Sequence, residues 1–104
     1  MKKWQTKLDL NDWQIGIEFV DFERKDYKQS GDIKVDLKNK KTTILISNNP
    51  RKDIEHIIVH ELVHLLLWKY DHFCEKSIPK NKKDQYFGLL EEVATKITYI
   101  LLKK

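Results

Sequence analysis

His60-Glu61-Leu62-Val63-His64 places two imidazoles four residues apart with a carboxylate directly after the first. On an α-helix, positions i and i+4 lie one above the other on the same face. His60 and His64 can therefore both direct a ring nitrogen at one metal ion. Glu61 sits about 100° further round the helix, beside such an ion. Two histidine ligands with a glutamate general base is an arrangement suited to zinc-dependent peptide hydrolysis. Ile57-Ile58-Val59 precede the segment and Leu65-Leu66-Leu67 follow it, so the spacing predicts a helix set into packed protein. On a helical wheel Val59, Leu62, Val63, Leu65 and Leu66 fill the far side and flanks, enough apolar surface to cover the helix on more than one side. On a polar helix the pair would be an ordinary solvated face. Buried imidazoles need partners, because each unpaired polar group costs roughly 1–3 kcal/mol, and a metal provides them.

A catalytic zinc site takes three protein ligands and leaves one position open. Glu91 and Glu92 are the candidates for the third. Glu91 falls at the edge of an apolar stripe beside the small residues Ala94, Thr95 and Thr98, and Glu92 points nearly opposite, so the phase favours Glu91. His72, eight residues after His64, is the rival, and it needs the chain to turn back sharply where residues 65–71 contain no glycine. His56 is one helical turn before His60, where a side chain diverges from the metal, and it reads as a surface or supporting residue. Cys74 lacks the paired cysteine of a zinc ribbon and reads as a small or incidental thiol.

The elements that position these residues are legible in outline. Residues 2–9 suit a short helix with Trp4 and Leu8 on one face. Trp13, Ile15, Ile17 and Phe19 alternate with mostly polar neighbours and predict a strand. A charged loop through Asp26 and Ser30-Gly31 follows. Ile33, Val35 and Leu37 alternate again, residues 42–47 are rich in β-branched side chains, and Asn39-Lys40-Lys41 reads as the turn between them. These three strands are expected to form one antiparallel sheet. Asn49 as N-cap and Pro50 as first helical residue open the histidine helix, which should run to Lys69 or Tyr70. A polar stretch from Asp71 through Pro79 to Asp84 leads into a last helix, Tyr86 to Leu102, with its stripe at Tyr86, Leu90, Val93, Ala94, Ile97 and Leu101. The expected fold class is α+β.

Length and composition set the outer limits. At 104 residues the chain has room for one domain, spanning 1–104. At 40% hydrophobic and 35% charged it is neither disordered nor membrane-spanning, and its apolar runs are too short to span. The basic N-terminus lacks an apolar continuation, so no secretory signal is expected, and a lone cysteine fits a reducing cytoplasm. The net charge of +4 is spread along the chain, with clusters at residues 38–41 and 80–83, and gives little reason to expect a nucleic-acid partner. A peptide or protein substrate and a monomeric state are the expectations.

With this segment on a buried helix, a strand hairpin before it and a Glu-bearing helix after it, the chain resembles a minimal zincin of the gluzincin type. It looks like the small stand-alone metallopeptidase-like proteins of bacteria, phages and mobile elements, related in architecture to the ImmA/IrrE group. The resemblance covers residues 13–102. It implies His60, His64 and Glu91 as Zn²⁺ ligands and Glu61 as the base that activates a metal-bound water for peptide hydrolysis. It also implies a peptide bound along a sheet edge, for which residues 42–47 are the candidate. Thr95 stands where thermolysin-like enzymes have an Asp four residues after the ligand Glu. Tyr86, Tyr70 and His72 are the oxyanion donors that sequence position offers, with nothing to choose between them. Two alternatives stand beside this one: a zinc-stabilised regulatory or binding module without turnover, and a metal-dependent endoribonuclease using His72. For the second, His64-Leu65-Leu66 with Tyr70-Asp71-His72 is similar to the HGxLHLxGYDH segment of a bacterial endoribonuclease family. Glu61 replaces that motif's Gly, and the gap to the last His is two residues longer.

Overall fold

The computed structural model describes residues 1–22, 30–50 and 52–103; Asp26 and most of the charged loop expected around it lie outside the described residues. A short helix, α1 (Lys2–Lys7), precedes strand β1 (Gln14–Val20). Strands β2 (Gly31–Asp36) and β3 (Lys41–Ser47) form a hairpin. Helices α2 (Ile54–Leu66) and α3 (Trp68–Ser77), a 3₁₀ turn (Lys80–Lys82) and helix α4 (Lys83–Leu102) complete the chain. A three-stranded sheet covered by helices is an α+β architecture.

The sheet is mixed and not antiparallel throughout. Its order is β1-β3-β2, with β1 parallel to β3 and β2 antiparallel to it. Alternation of apolar residues fixes which side chains share a face and says nothing of strand direction or neighbour. Lys40, in the left-handed region at φ 50°, closes the β2–β3 turn, where the Asp36 carboxylate accepts bonds from the Asn39 backbone and side-chain amides. The Lys40 ammonium also pairs with Asp12 ahead of β1. Residues 42–47 are consequently the centre of the sheet, paired on both sides, and offer no edge to a peptide. Among the described residues the edges are β1 and β2, and β2 is the one beside the cavity described below.

The core forms between the sheet and α2. Ile44 and Ile46 of β3 are fully buried with Val59 and Leu62 of α2, alongside Ile57, Leu65, Trp4, Leu8 and Leu10. Burial of an aliphatic side chain contributes about 1.5–3 kcal/mol, so this group dominates what holds α2 to the sheet. Ile17 and Phe19 of β1, an outer strand, are about half exposed.

Helix α2 begins later and ends sooner than the sequence suggests. Asn48 bonds Asp21, and the Asn49 amide donates to Ser47 Oγ, so the turn off β3 consumes these residues and Asp53 holds the N-cap position. At the far end the helix stops at Leu66 and a new one starts at Trp68, without glycine or proline. The polar stretch after it is largely helical. His72 Nδ1 and Ser77 Oγ each bond the carbonyl one turn back, and α3 ends only where Pro79 holds Ile78 extended, at ψ 134°. In α4 the buried positions are Ala94 and Thr98, while Val93 of the expected stripe is half exposed, as is Leu66 of α2.

Candidate metal centre

Helix α2 lies against α4 with the His60 and His64 face toward Glu91. The two Nε2 atoms are 3.2 Å apart. His60 Nε2 lies 2.7 Å from Glu91 Oε1, and His64 Nε2 lies 3.0 Å from Glu91 Oε2. The small side chains beside Glu91 let the helices approach, for Ala94 and Thr98 are fully buried and Thr98 Oγ1 folds back onto the Ala94 carbonyl. Glu92, one residue on, points away and pairs with Lys96 at 3.1 Å.

Two imidazole nitrogens and a carboxylate meeting at one point form a donor set suited to a divalent metal. Ligand atoms about 2.0–2.1 Å from a tetrahedral Zn²⁺ stand about 3.3 Å from one another, close to the separations found here. Hydrogen bonding alone satisfies the set poorly. Glu91 can accept from both rings only if both Nε2 atoms carry hydrogens, which would then oppose each other at 3.2 Å. The residues present fit a zinc ion.

The charges around this point are strongly coupled. Bonds from His60 and His64 hold the Glu91 carboxyl far below the ordinary range, against the opposing effect of burial. Burial also works against the charged form of His64, but the Glu91 bond and the negative charges of Glu61, Glu91 and Asp71 outweigh it and raise its pKa. Glu61 is 7% exposed. Burial pushes its carboxyl up to about 7, with His64 and His60 pulling it down and Asp32 and Glu91 pushing it further up.

Gly31 is the residue near the site that sequence reasoning missed. A Cβ there would stand 2.6 Å from Ile57 Cγ2 and 3.4 Å from Glu61 Oε2. Only a glycine lets the start of β2 lie so close over α2. Its signal in the sequence was faint: one of three glycines, at the start of an alternating run.

A cavity of about 460 Å³ opens over the three ligand-type side chains. Ser30, and Gly31, Asp32 and Ile33 of β2, line one wall, and Phe87, Leu90, Glu91 and Thr95 of α4 line the other. Helix α2 forms the floor, from His56 past Glu61 to His64, with Lys52 ahead of it at one end and Trp68 and Asp71 of α3 at the other. Tyr86, Tyr70 and His72 do not line it. Tyr86 donates its hydroxyl to Asp71 Oδ1 at 2.7 Å, and burial together with that bond raises its pKa. Tyr70 is 65% exposed. His72 bonds the Trp68 carbonyl and groups with Asp71 and Glu75 on α3, apart from the His60–His64–Glu91 cluster. His56 sits edge-on to Tyr99 one turn before His60, outside that cluster. Cys74 is a half-buried free thiol.

No protein-family model matches the chain, and no curated protein and no solved structure matches it either. Among the described residues no helix is long and apolar enough to cross a membrane.

Proposed function

We propose that the chain is a zinc-dependent metallopeptidase, of minimal gluzincin type, in which His60, His64 and Glu91 hold Zn²⁺ and Glu61 is the general base. The observation that carries this reading is the convergence of two Nε2 atoms and one carboxylate to within 3.2 Å. The adjoining buried carboxylate of Glu61 and the strand edge beside the cavity support it. Bound zinc supplies a Lewis acid that acidifies water and polarises a carbonyl. The chain's own residues do the rest. Glu61 accepts a proton on its carboxylate from the attacking water and returns it to the departing amine, so that water and one amide bond become an acid and an amine. Burial keeps Glu61 in one place between α2 and β2, and Gly31 leaves room for it.

The β2 edge, and not residues 42–47, is the strand we assign to an extended peptide, since it forms the cavity wall. A peptide added as a strand would displace the Asp32 carboxylate from the Ile33 N–H, which it holds at 2.8 Å. A lone cysteine fits action in a reducing compartment such as the cytoplasm. The nuclease alternative has less support, because His72 is turned onto Trp68 and stands apart from the histidine pair.

The test is Glu61→Gln in the zinc-loaded protein, with casein and structured RNA as substrates. Casein cleavage that disappears in the variant while zinc stoichiometry is kept supports the reading. An unchanged rate of cleavage removes Glu61 from the chemistry. Inert wild-type protein with full zinc would favour a binding module.

A further inference from the structure

The cavity is not electrically uniform. Asp32, Glu61, Asp71 and Glu91 place carboxylates along its middle and its Trp68 end. At the other end, Lys52 is the one lysine or arginine among the described residues of the lining. Its ammonium donates to Tyr99 Oη at 3.0 Å, and the Tyr99 ring meets the His56 ring edge-on, 5.1 Å between centroids. No carboxylate of the described residues pairs with Lys52. Glu55 takes the Trp4 indole N–H instead, and Asp53 at the N-cap makes no ion pair among those residues. Because Lys52 bonds the Tyr99 oxygen, the Tyr99 hydroxyl hydrogen is left to donate elsewhere. Lys52 and His56, with Tyr99 behind them, thus place donors at one end of a groove whose acidic side chains lie further along it.

We propose that Lys52 and His56, held in place by Tyr99, form a subsite for a substrate carboxylate, so that the preferred peptides carry Asp or Glu two or three residues from the bond that is cut. This rests on the metallopeptidase reading for the cut itself, but not for the recognition. The spacing follows from the helix. His56 lies one turn before His60, about 6 Å along α2 at 1.5 Å per residue, and Lys52 lies just ahead of the helix, beyond the extended N-cap Asp53, with a long side chain to reach back. An extended peptide covers about 3.3 Å per residue, which makes two or three residues. The same acidic side chain set further along the groove would meet Asp32 or Asp71, so the charges also fix which way along the groove the anion lies.

Recognition and cleavage are separable experimentally. Three fluorescent hexapeptide mixtures, degenerate except for a fixed Glu, Gln or Lys, are titrated against zinc-loaded Glu61→Gln protein carrying Lys52, Lys52→Met or Lys52→Glu. Cleavage sites of the wild-type enzyme in a proteome-derived peptide mixture are read by mass spectrometry. With Lys52 present, the Glu mixture should bind at least tenfold tighter than the Gln mixture, the worth of one charge-assisted hydrogen bond. Lys52→Met should abolish that preference with zinc content unchanged, and Lys52→Glu should turn it toward Lys. Equal binding of Glu and Gln, a preference that survives Lys52→Met, or no binding of any mixture overturns the subsite. Cleavage without acidic preference overturns the subsite and leaves the peptidase standing. Lys52-dependent preference without cleavage does the reverse.

Discussion

Replacing Glu61 by Gln keeps the side chain's shape and removes its charge, and in metal-free protein the consequence for stability can be worked out. Burial raises the Glu61 carboxyl from its ordinary 4.5 to about 7. The native state therefore holds this proton more tightly than the unfolded chain does. Its contribution is fully present below pH 4.5, declines as pH rises from 4.5 toward 7, and is gone above. At 1.36 kcal/mol per tenfold change in proton affinity, the span amounts to about 3 kcal/mol. Metal-free Glu61→Gln should match wild type near pH 4.5 and exceed it by up to about 3 kcal/mol at pH 8. In a domain of this size that is a rise in Tm of roughly 10 °C or more. Thermal and urea unfolding in chelator between pH 4.5 and 8 measure it, and the difference between the two proteins isolates Glu61 from the titration of its neighbours. Adding zinc should shrink the gap at pH 8, since a cation beside the carboxylate favours its charged form. A variant less stable than wild type at pH 8, or a difference that does not vary with pH, would refute the account of Glu61 as a carboxylate destabilised by burial.

In a chelator titration of the zinc-loaded protein, Glu91→Ala should release metal far more readily than wild type, while Glu92→Ala and His72→Ala should retain it. Loss in His72→Ala with retention in Glu91→Ala would transfer the third ligand to α3. Gly31→Ala should lower stability by about 1–3 kcal/mol, because the new methyl stands 2.6 Å from the buried Ile57 and must displace β2 or α2. Unchanged unfolding in that variant would mean the contact between β2 and α2 is loose. The depressed Glu91 carboxyl stabilises the metal-free fold above its ordinary 4.5, and that contribution is lost as pH falls through its lower folded value. Glu91→Gln should therefore flatten the acid limb of the metal-free stability profile below pH 4.5, and an unaltered limb would show that the bonds to His60 and His64 do not persist in solution.

Much of the candidate site's geometry was readable because it depends on local periodicity. The i, i+4 spacing of His60 and His64 needs only a helix, and the apolar residues on both sides supply one. The phase of α4 separates Glu91 from Glu92 by the same reasoning, with Ala94 and Thr98 marking the buried side. What could not be read depends on contacts between distant segments. Whether β3 lies at the edge or the centre of the sheet is decided by where β1 pairs, and the alternation of Ile15, Ile17 and Phe19 is the same in either case. The interruption at Leu67 has no glycine or proline to announce it. The role of Gly31 becomes visible only with Ile57 and Glu61 placed against it. His56 and Lys52 gain theirs from Tyr99, 43 and 47 residues further along the chain.

The central claim is that His60, His64 and Glu91 hold one Zn²⁺. Diffraction from crystals of the zinc-loaded protein, recorded on both sides of the zinc absorption edge, tests it most directly. One anomalous peak per chain, bounded by the Nε2 atoms of His60 and His64 and the carboxylate of Glu91, is the predicted result. A peak between Asp71, His72 and Glu75 with none at the histidine pair, or crystals of the zinc-soaked protein with no peak at all, would contradict it.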